Sequence, residues 1–191
     1  DRAYNRYWMD PGSDLGKING QYRSSWIIDP PDGQIPFIKA PTGAGARLLE
    51  SASAEEEFDD FGSDNPEDRG IPERCIWGFT GGPVPVLFNA MYNNNYQIVQ
   101  TPTHVMIDVE MMHDVRIIRM EQAHKPEAVT QWLGDSVGRW DGDTLVVTTR
   151  GWNRQHGDYE PIFLSEQATV TERFTRTAKD EITYEFAVDD P

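Results

Sequence analysis

Cysteine, basic residues and long apolar runs are all scarce in this chain of 191 residues, and each scarcity excludes a class of protein. The one cysteine, Cys75, cannot form an internal disulfide and cannot supply the clustered thiolates of a structural zinc site. No apolar run approaches the ~20 residues that a membrane-spanning helix needs. We therefore expect no membrane span, and a chain of this length folds around a core without disulfides or a metal.

The charge balance is strongly acidic, with 32 Asp and Glu residues against 17 Lys and Arg residues and a formal net charge of −15. Such a surface repels phosphate backbones and anionic lipid. No basic stripe is present that would neutralise phosphates and release their counterions. We therefore expect no nucleic-acid partner.

The pattern of turn residues and short alternating runs is typical of a β protein. The 16 glycines and 13 prolines indicate many turns and few long helices. Strands are predicted over 24–28, 86–91, 96–100, 103–111, 115–120, 137–140, 144–149, 170–177 and 181–188. One short helix is predicted over 126–133, with Pro126 in its first turn and Gly134 as its left-handed stop. The predicted fold is mainly β, an antiparallel barrel or sandwich with one short helix and a long acidic loop.

We predict a single β domain over residues 1–191, with an irregular arm over 1–23 and an acidic loop over 41–72. Nine acidic residues and no basic residue occur between Glu50 and Asp68. A solvated loop explains this composition, and calcium binding is the alternative. The D-x-[DN]-x-[DN]-G spacing of a calcium loop is missing, which favours the solvated loop.

The last predicted hairpin carries an acid on the face that should be apolar. If the turn lies at 178–180, Phe174 lies opposite Tyr184 and Glu172 lies opposite Phe186, on the core side. A carboxylate in such surroundings must find a partner or take up a proton. Two interpretations remain open: an edge position where Glu172 reaches water or an arginine, or an acid of raised pKa that contacts a ligand.

A second mixed face is predicted between residues 103 and 120. If the chain reverses around 112–114, Glu110 lies opposite Arg116 and Asp108 lies opposite Ile118. The residues predicted to share that face are His104, Met106, Asp108, Glu110, Arg116, Ile118 and Met120. Charged and thioether side chains together are typical of a cleft lining, and a solvated face with a cross-strand Glu–Arg pair is the alternative.

These faces supply candidate residues for acid/base chemistry. Glu110 or His113 would act as the base, and Arg116 would orient it or stabilise an anion. The candidate ligand-binding residues are His104, Asp108, Tyr92, Asn94 and Glu172. We expect no cofactor and no metal. The E-x-x-H string of Glu110 and His113 occurs once, in a strand and turn where positions i and i+3 point to opposite faces.

Residues 131–147 read Gln-Trp-Leu-Gly-Asp-Ser-Val-Gly-Arg-Trp-Asp-Gly-Asp-Thr-Leu-Val-Val. This run resembles the signature W-L-G-D-S-x-G-R-W-x-G-D-T-L-V-V of a family of uncharacterised exported bacterial proteins. The resemblance implies export, and so a periplasmic or secreted location. The start at Asp1, without a signal sequence, fits a chain whose export signal has been removed. Within the run, we predict Trp132 and Trp140 as core anchors rather than ligand-stacking residues.

The leading hypothesis is an exported β domain with a small-molecule pocket and cofactor-free acid/base chemistry, a lyase, isomerase or hydrolase step. The alternative is a non-catalytic accessory subunit of a cell-envelope assembly. In that case the acidic loop and the aromatic residues of the arm, Tyr4, Tyr7 and Trp8, would contact another envelope protein. A carrier of apolar ligands without turnover is a third hypothesis. The expected partner is therefore a small molecule or another envelope protein.

Overall fold

The structure, a computed structural model, describes residues 7, 9, 15–18, 20–36, 66, 74, 76, 85–88, 92–153 and 164–191. Its strands are β1 Lys17–Ile18, β2 Gln21–Tyr22, β3 Tyr96–Gln100, β4 His104–Val109, β5 Val115–Met120, β6 Asp135–Asp141, β7 Thr144–Arg150, β8 Thr169–Ala178 and β9 Glu181–Asp189. A 3₁₀ turn, Met111–His113, separates β4 from β5. The chain divides into two compact units, Asp1–Glu56 and Glu57–Pro191. The single domain over 1–191 stays a prediction.

The first unit contains a short hairpin of β1 and β2, which pair antiparallel. The chain turns between them through Gly20, whose φ of 80° lies in the left-handed region that glycine adopts without strain. The segment predicted as an irregular arm over 1–23 therefore contains a short β-hairpin at residues 17–22.

The strand predicted over 24–28 is not formed, because the Ile27 N–H donates to the Ser25 hydroxyl, at 3.2 Å, instead of to a neighbouring strand. The chain turns after this segment, where the Gly33 N–H donates to the Pro30 carbonyl at 3.1 Å. Gly33 has a φ of 73°.

The second unit is a seven-stranded sheet in the order β3-β4-β5-β6-β7-β8-β9, strongly curled into a half-barrel. In the part of the chain that the structure describes, strands account for 47% and helix for 3% of the residues, which confirms the prediction of a mainly β fold. Five of the six neighbouring pairs are antiparallel as predicted, and the sixth, β5 with β6, is parallel. A parallel pair needs a crossover connection rather than a tight turn, and residues 121–134 supply it.

The helix predicted over 126–133 is not formed in that crossover. The Val129 N–H donates to the Pro126 carbonyl at 2.8 Å, which closes a turn, and Gln131 then forms an isolated parallel bridge with Trp152. The Gln131 N–H donates to the Gly151 carbonyl at 2.9 Å, so it is not available to a helical ladder. The predicted left-handed stop after this segment does occur, at Gly134.

The two predicted C-terminal hairpins are formed, and the hairpin of β8 and β9 follows the predicted register. In β8 and β9, Phe174 lies opposite Tyr184 and Glu172 opposite Phe186. In β6 and β7, Asp141 lies opposite Thr144 across a two-residue turn in which Gly142 has a φ of 60°. Short turns determine pairing because they leave the strands one register to adopt.

Two N-terminal predictions fall wholly or partly outside the residues that the structure describes. Only Pro66 of the acidic loop over 41–72 is described. Of the strand predicted over 86–91, residues 86–88 are described and are not in a strand. Among the described residues, no helix is long and apolar enough to cross a membrane.

The concave face of the half-barrel carries two buried apolar clusters with polar residues between them. One cluster comprises Val105, Ile107, Val109, Met111, Ile118, Met120, Leu145 and Val147. The other comprises Val86, Phe88, Trp152, Leu164, Ala168 and Val170. On β8, Glu172 separates Val170 of the second cluster from Phe174, which packs against the first.

We predict that Gly134→Ala destabilises the fold by about 2–4 kcal/mol, whereas Gly142→Ala costs about 1 kcal/mol. Both glycines have positive φ, but an added Cβ at Gly134 would lie 2.7 Å from the Thr149 methyl group and 2.8 Å from the Trp152 ring. Nothing lies within 4 Å of the corresponding position at Gly142. Urea denaturation measures both changes, and equal losses would contradict this account of packing around Trp152.

Candidate functional site

The pairing of β4 with β5 differs from the predicted register. Arg116 lies opposite Ile107, three residues along β4 from its predicted partner Glu110. Asp108 lies opposite Val115. A shift by an odd number of residues transfers every side chain of β5 to the other face of the sheet. The mixed face predicted from the sequence is therefore wrong.

The reversal between the strands takes up more residues than a tight turn, which explains the shift. Glu110 precedes the 3₁₀ turn Met111–His113, and the loop is closed by a 3.0 Å hydrogen bond from the Val109 N–H to the Asp114 carbonyl. As a result, Arg116 lies on the concave face, where its exposed fraction is 1%.

The shifted register brings together Arg116 and Glu172, which the sequence predicted on two different faces. Arg116 forms a bidentate ion pair with Glu172: Nη1 donates to Oε1 at 3.0 Å, and Nη2 donates to Oε2. The exposed fractions of their side chains are 1% and 0%. The prediction that Glu172 reaches an arginine is confirmed, although β8 is an interior strand and not an edge.

Two hydroxyl groups complete the surroundings of the guanidinium. Arg116 Nε donates to Ser136 Oγ at 2.9 Å, and Nη2 donates to Thr149 Oγ1 at 3.0 Å. The two hydroxyl oxygens are themselves 2.9 Å apart. A buried ion pair is tolerated only when further hydrogen bonds replace the lost hydration, and Ser136 and Thr149 supply them.

Tyr184 extends this cluster from Glu172 toward the edge strand β9. Its hydroxyl donates to Glu172 Oε1 at 2.8 Å and accepts a hydrogen bond from the Leu87 N–H at 3.1 Å. Burial, and next the charge of Glu172, raise the pKa of Tyr184 well above its ordinary value. The phenol therefore keeps its proton and remains a donor to Glu172. We call Arg116, Ser136, Thr149, Glu172 and Tyr184 the buried polar cluster.

Ser136, Thr149 and Tyr184 were not among the predicted site residues. The spacing of Gly134, Ser136 and Gly138 matches G-x-S-x-G, which signals a nucleophilic serine at a strand-to-helix turn. Here Ser136 lies within β6, buried, and its hydroxyl contacts Arg116 and Thr149. The spacing therefore marks a structural partner of the arginine and not a nucleophile.

Beside the buried polar cluster, the concave face opens into a cleft. A cavity of about 580 Å³ adjoins a smaller one of about 250 Å³. Both are lined by Ile98, Ile107, Phe174 and Ile182, so they are adjacent, and we call the two together the concave cleft. The larger part also contacts Gln100, Val105, Trp140, Asp143, Leu145 and Arg176, and the smaller part contacts Leu87, Tyr96 and Tyr184.

Trp140 was predicted as a core anchor, but it is 46% exposed and lines the concave cleft. It lies near the end of β6, beside the hairpin turn, where the half-barrel is open. Trp132 is partly buried against the cluster of Trp152 and Val170, which confirms its predicted core role.

The predicted base residues lie away from the concave cleft. Glu110 is exposed, and its Oε2 accepts hydrogen bonds from the Asn95 side-chain amide at 2.7 Å and from the Asn95 N–H at 3.3 Å. His113 is exposed in the turn with a φ of 59°. Neither residue is among the described residues that line the cleft.

The remaining predicted ligand-binding residues are dispersed. His104 and Asp108 are half-buried on the convex face of β4, and His104 Nδ1 lies 2.9 Å from Thr103 Oγ1. Tyr92 is 42% exposed, and Asn94 is half-buried in the segment before β3. Of the predicted site residues, the structure brings together Arg116 and Glu172.

A second charged cluster anchors the crossover from β5 to β6. Asp135 accepts hydrogen bonds from Arg119 at 2.8 and 2.9 Å and from the Lys125 N–H at 2.9 Å, and His124 Nδ1 lies 3.0 Å away. Burial alone would raise the pKa of Asp135, but the contacts with Lys125, His124 and Arg119 outweigh it and hold that pKa below its ordinary value. Among the described residues, no group of three or more His, Cys, Asp or Glu could hold a metal ion.

We predict that Glu172→Gln destabilises the fold by about 3–5 kcal/mol, because it leaves the buried Arg116 charge without its counter-ion. The control is Asp141→Asn, which breaks the exposed 3.3 Å pair with Arg173 and should cost less than about 1 kcal/mol. Chemical denaturation measures both. The double variant Arg116→Met/Glu172→Leu should recover most of the stability that Glu172→Gln loses. Similar costs for Glu172→Gln and Asp141→Asn would contradict the role of the buried pair.

Stability should also fall as the pH rises above about 10, the pKa of an unperturbed tyrosine. The folded protein holds the Tyr184 proton more tightly than the unfolded chain does, so its contribution is complete below that pH and is lost above it. Tyr184→Phe should remove this part of the decline, up to about 1.4 kcal/mol per pH unit. Denaturation curves from pH 8 to 11 compare the two proteins, and parallel pH profiles would contradict the prediction.

Comparison of the chain with protein-family models, with curated proteins and with solved structures gives no match. The resemblance of residues 131–147 to a family of exported bacterial proteins stays a prediction.

Proposed function

We propose that the protein binds a small, largely apolar molecule in the concave cleft. The observation that supports this most directly is the cleft of about 580 Å³ on the inner face of the half-barrel. Ligand pockets in proteins occupy ~300–1,000 Å³ and combine apolar walls with a few polar groups. The floor here is formed by Val105, Ile107, Leu145 and Phe174, with polar groups such as Gln100 and Arg176 beside them.

The two edges of the sheet present apolar side chains to this space. Ile98 on β3 is 49% exposed and Ile182 on β9 is 53% exposed, and both line both parts of the concave cleft. Exposed apolar side chains that face a cavity favour a ligand, because binding removes their surface from water. The curl of the sheet therefore creates a place where an apolar molecule would be contacted from both edges.

Binding without turnover fits the cleft better than the predicted acid/base chemistry does. Glu110 and His113 lie in the exposed reversal between β4 and β5, and Arg116 is already bonded to Glu172, Ser136 and Thr149. A general base has to come within hydrogen-bonding reach of the proton that it removes. We therefore propose a carrier or sensor of an apolar ligand, in a periplasmic or secreted location that the signature resemblance supports.

A second candidate function is docking on another envelope protein, as an accessory subunit. The convex face of β3, β4 and β5 carries a cross-strand row in which Val99 lies opposite Met106 and Met106 opposite Ile117. Val99 is 39% exposed, Ile117 is 49% exposed and Val115, two residues away, is 41% exposed. Such a patch on a strongly acidic protein supports a protein contact.

We predict that Ile98→Trp lowers the affinity for the neutral fluorescent probe N-phenyl-1-naphthylamine at least about tenfold, because the larger ring fills the cleft. The matched control is Ile117→Trp: Ile117 is also 49% exposed but lies on the opposite face of the sheet, so probe affinity should not change. Fluorescence titration measures both.

Failure of the wild-type protein to bind the probe, or equal effects of the two substitutions, would contradict ligand binding in the cleft. Docking makes the reverse prediction: Ile117→Trp would disturb co-purification with an envelope partner in fixed stoichiometry, and Ile98→Trp would not. A stable monomer in size-exclusion chromatography of native material would contradict docking.

A further inference from the structure

The polar groups of the smaller part of the concave cleft are two phenols, Tyr96 and Tyr184. The remaining described residues that line it are Leu87, Ile98, Ile107, Phe174 and Ile182, whose side chains are apolar. Among the described lining residues, the side chains that can form hydrogen bonds with a ligand there are therefore the two phenols. The direction of those hydrogen bonds depends on where each phenol sends its own proton.

At Tyr184, both hydrogen-bond partners of the hydroxyl determine where its proton points. The Glu172 carboxylate is held by Arg116 and can only accept, so the Tyr184 hydroxyl donates to it at 2.8 Å. The Leu87 N–H can only donate, and it does so to the same hydroxyl at 3.1 Å. The single Tyr184 proton is therefore committed, and one lone pair of the oxygen remains.

The hydroxyl proton of Tyr96 is also used in a hydrogen bond, but with a different partner. Its hydroxyl lies 3.3 Å from the Phe88 backbone carbonyl, which can only accept, so the phenol donates to it. Burial raises the pKa of Tyr96, so it keeps this proton at neutral pH. The two phenols thus present oxygen lone pairs, and no hydroxyl proton, to a molecule in the smaller part of the cleft.

We infer that the concave cleft selects apolar ligands that carry a hydrogen-bond donor, an alcohol or phenol hydroxyl, for its inner end. This inference rests on the proposed function. A ligand hydroxyl donates to the lone pair of Tyr184 or Tyr96, whereas an ether, ketone or carboxylate oxygen would face another acceptor and leave both unpaired. The carboxylate would in addition be repelled by the net charge of −15.

The larger part of the cleft differs from the smaller part, because hydrogen-bond donors line it in addition to the acceptor Asp143. Arg176 lines it, and its Nε and Nη2 already donate to the Ala178 and Lys179 carbonyls at 3.1 and 2.6 Å. Gln100 and the indole of Trp140 also line this part. A ligand acceptor group is therefore tolerated at this end, while the hydroxyl lies at the end of the two phenols.

The test compares 2-naphthol with 2-methoxynaphthalene, which keeps the rings and the oxygen acceptor but lacks the donor. Wild-type protein should bind 2-naphthol about tenfold more tightly. Tyr184→Phe and Tyr96→Phe should each reduce this preference to about threefold or less, because each removes one acceptor. Tyr22→Phe, at an exposed position in the first unit, is the control and should keep the full preference. Tryptophan fluorescence titration gives the affinities, with circular dichroism as the check on folding.

Equal affinities for the two probes in the wild type would overturn the donor preference and leave ligand binding in the cleft intact. A preference that survives in both phenylalanine variants would also overturn it. If neither probe binds, the proposed function is overturned as well. If Tyr184→Phe fails to fold, Tyr96→Phe alone decides, since Tyr96 makes no contact with the buried ion pair among the bonds that the structure describes.

Discussion

A guanidinium and a carboxylate, those of Arg116 and Glu172, meet on the concave face of the half-barrel with almost no contact with water. Burying either charge alone would cost several kcal/mol. The strands that carry them, β5 and β8, can therefore adopt only registers that bring the two charges together. Ser136 and Thr149 bind the same guanidinium from β6 and β7. One ion pair therefore ties four strands, β5 to β8, into one arrangement and separates the two apolar clusters of the core.

The same interaction shapes the candidate ligand site. The Tyr184 hydroxyl donates its hydrogen bond to Glu172, and this leaves the Tyr184 oxygen as an acceptor toward the concave cleft. The half-barrel leaves this side of the sheet accessible between its edge strands, where Ile98 and Ile182 are exposed. A closed sheet would have buried those side chains against each other. The open curl explains why apolar residues remain available for a ligand.

Of the two mixed faces, the sequence predicted the one on β8 and β9 correctly and the one on β4 and β5 incorrectly, and the reason is physical. The hairpin of β8 and β9 has a short turn, so alternation alone gave the correct partner for Glu172, Phe186. Between β4 and β5 the reversal includes Glu110 and a 3₁₀ turn, and alternation cannot count the residues that a loop consumes. The face of Arg116 was therefore wrong, and with it the predicted grouping of Arg116 with Glu110 and Asp108.

The sequence by itself determined the mainly β class, the two C-terminal hairpins and the presence of an acid on a core face, because these follow from residue alternation and short turns. Only the tertiary structure decided that the acid meets Arg116, that β5 and β6 run parallel, and that the sheet curls around a cleft. These features join residues far apart in the sequence, such as Arg116 and Glu172, which are 56 positions apart. Such contacts depend on loop lengths and sheet curvature, which no local pattern records.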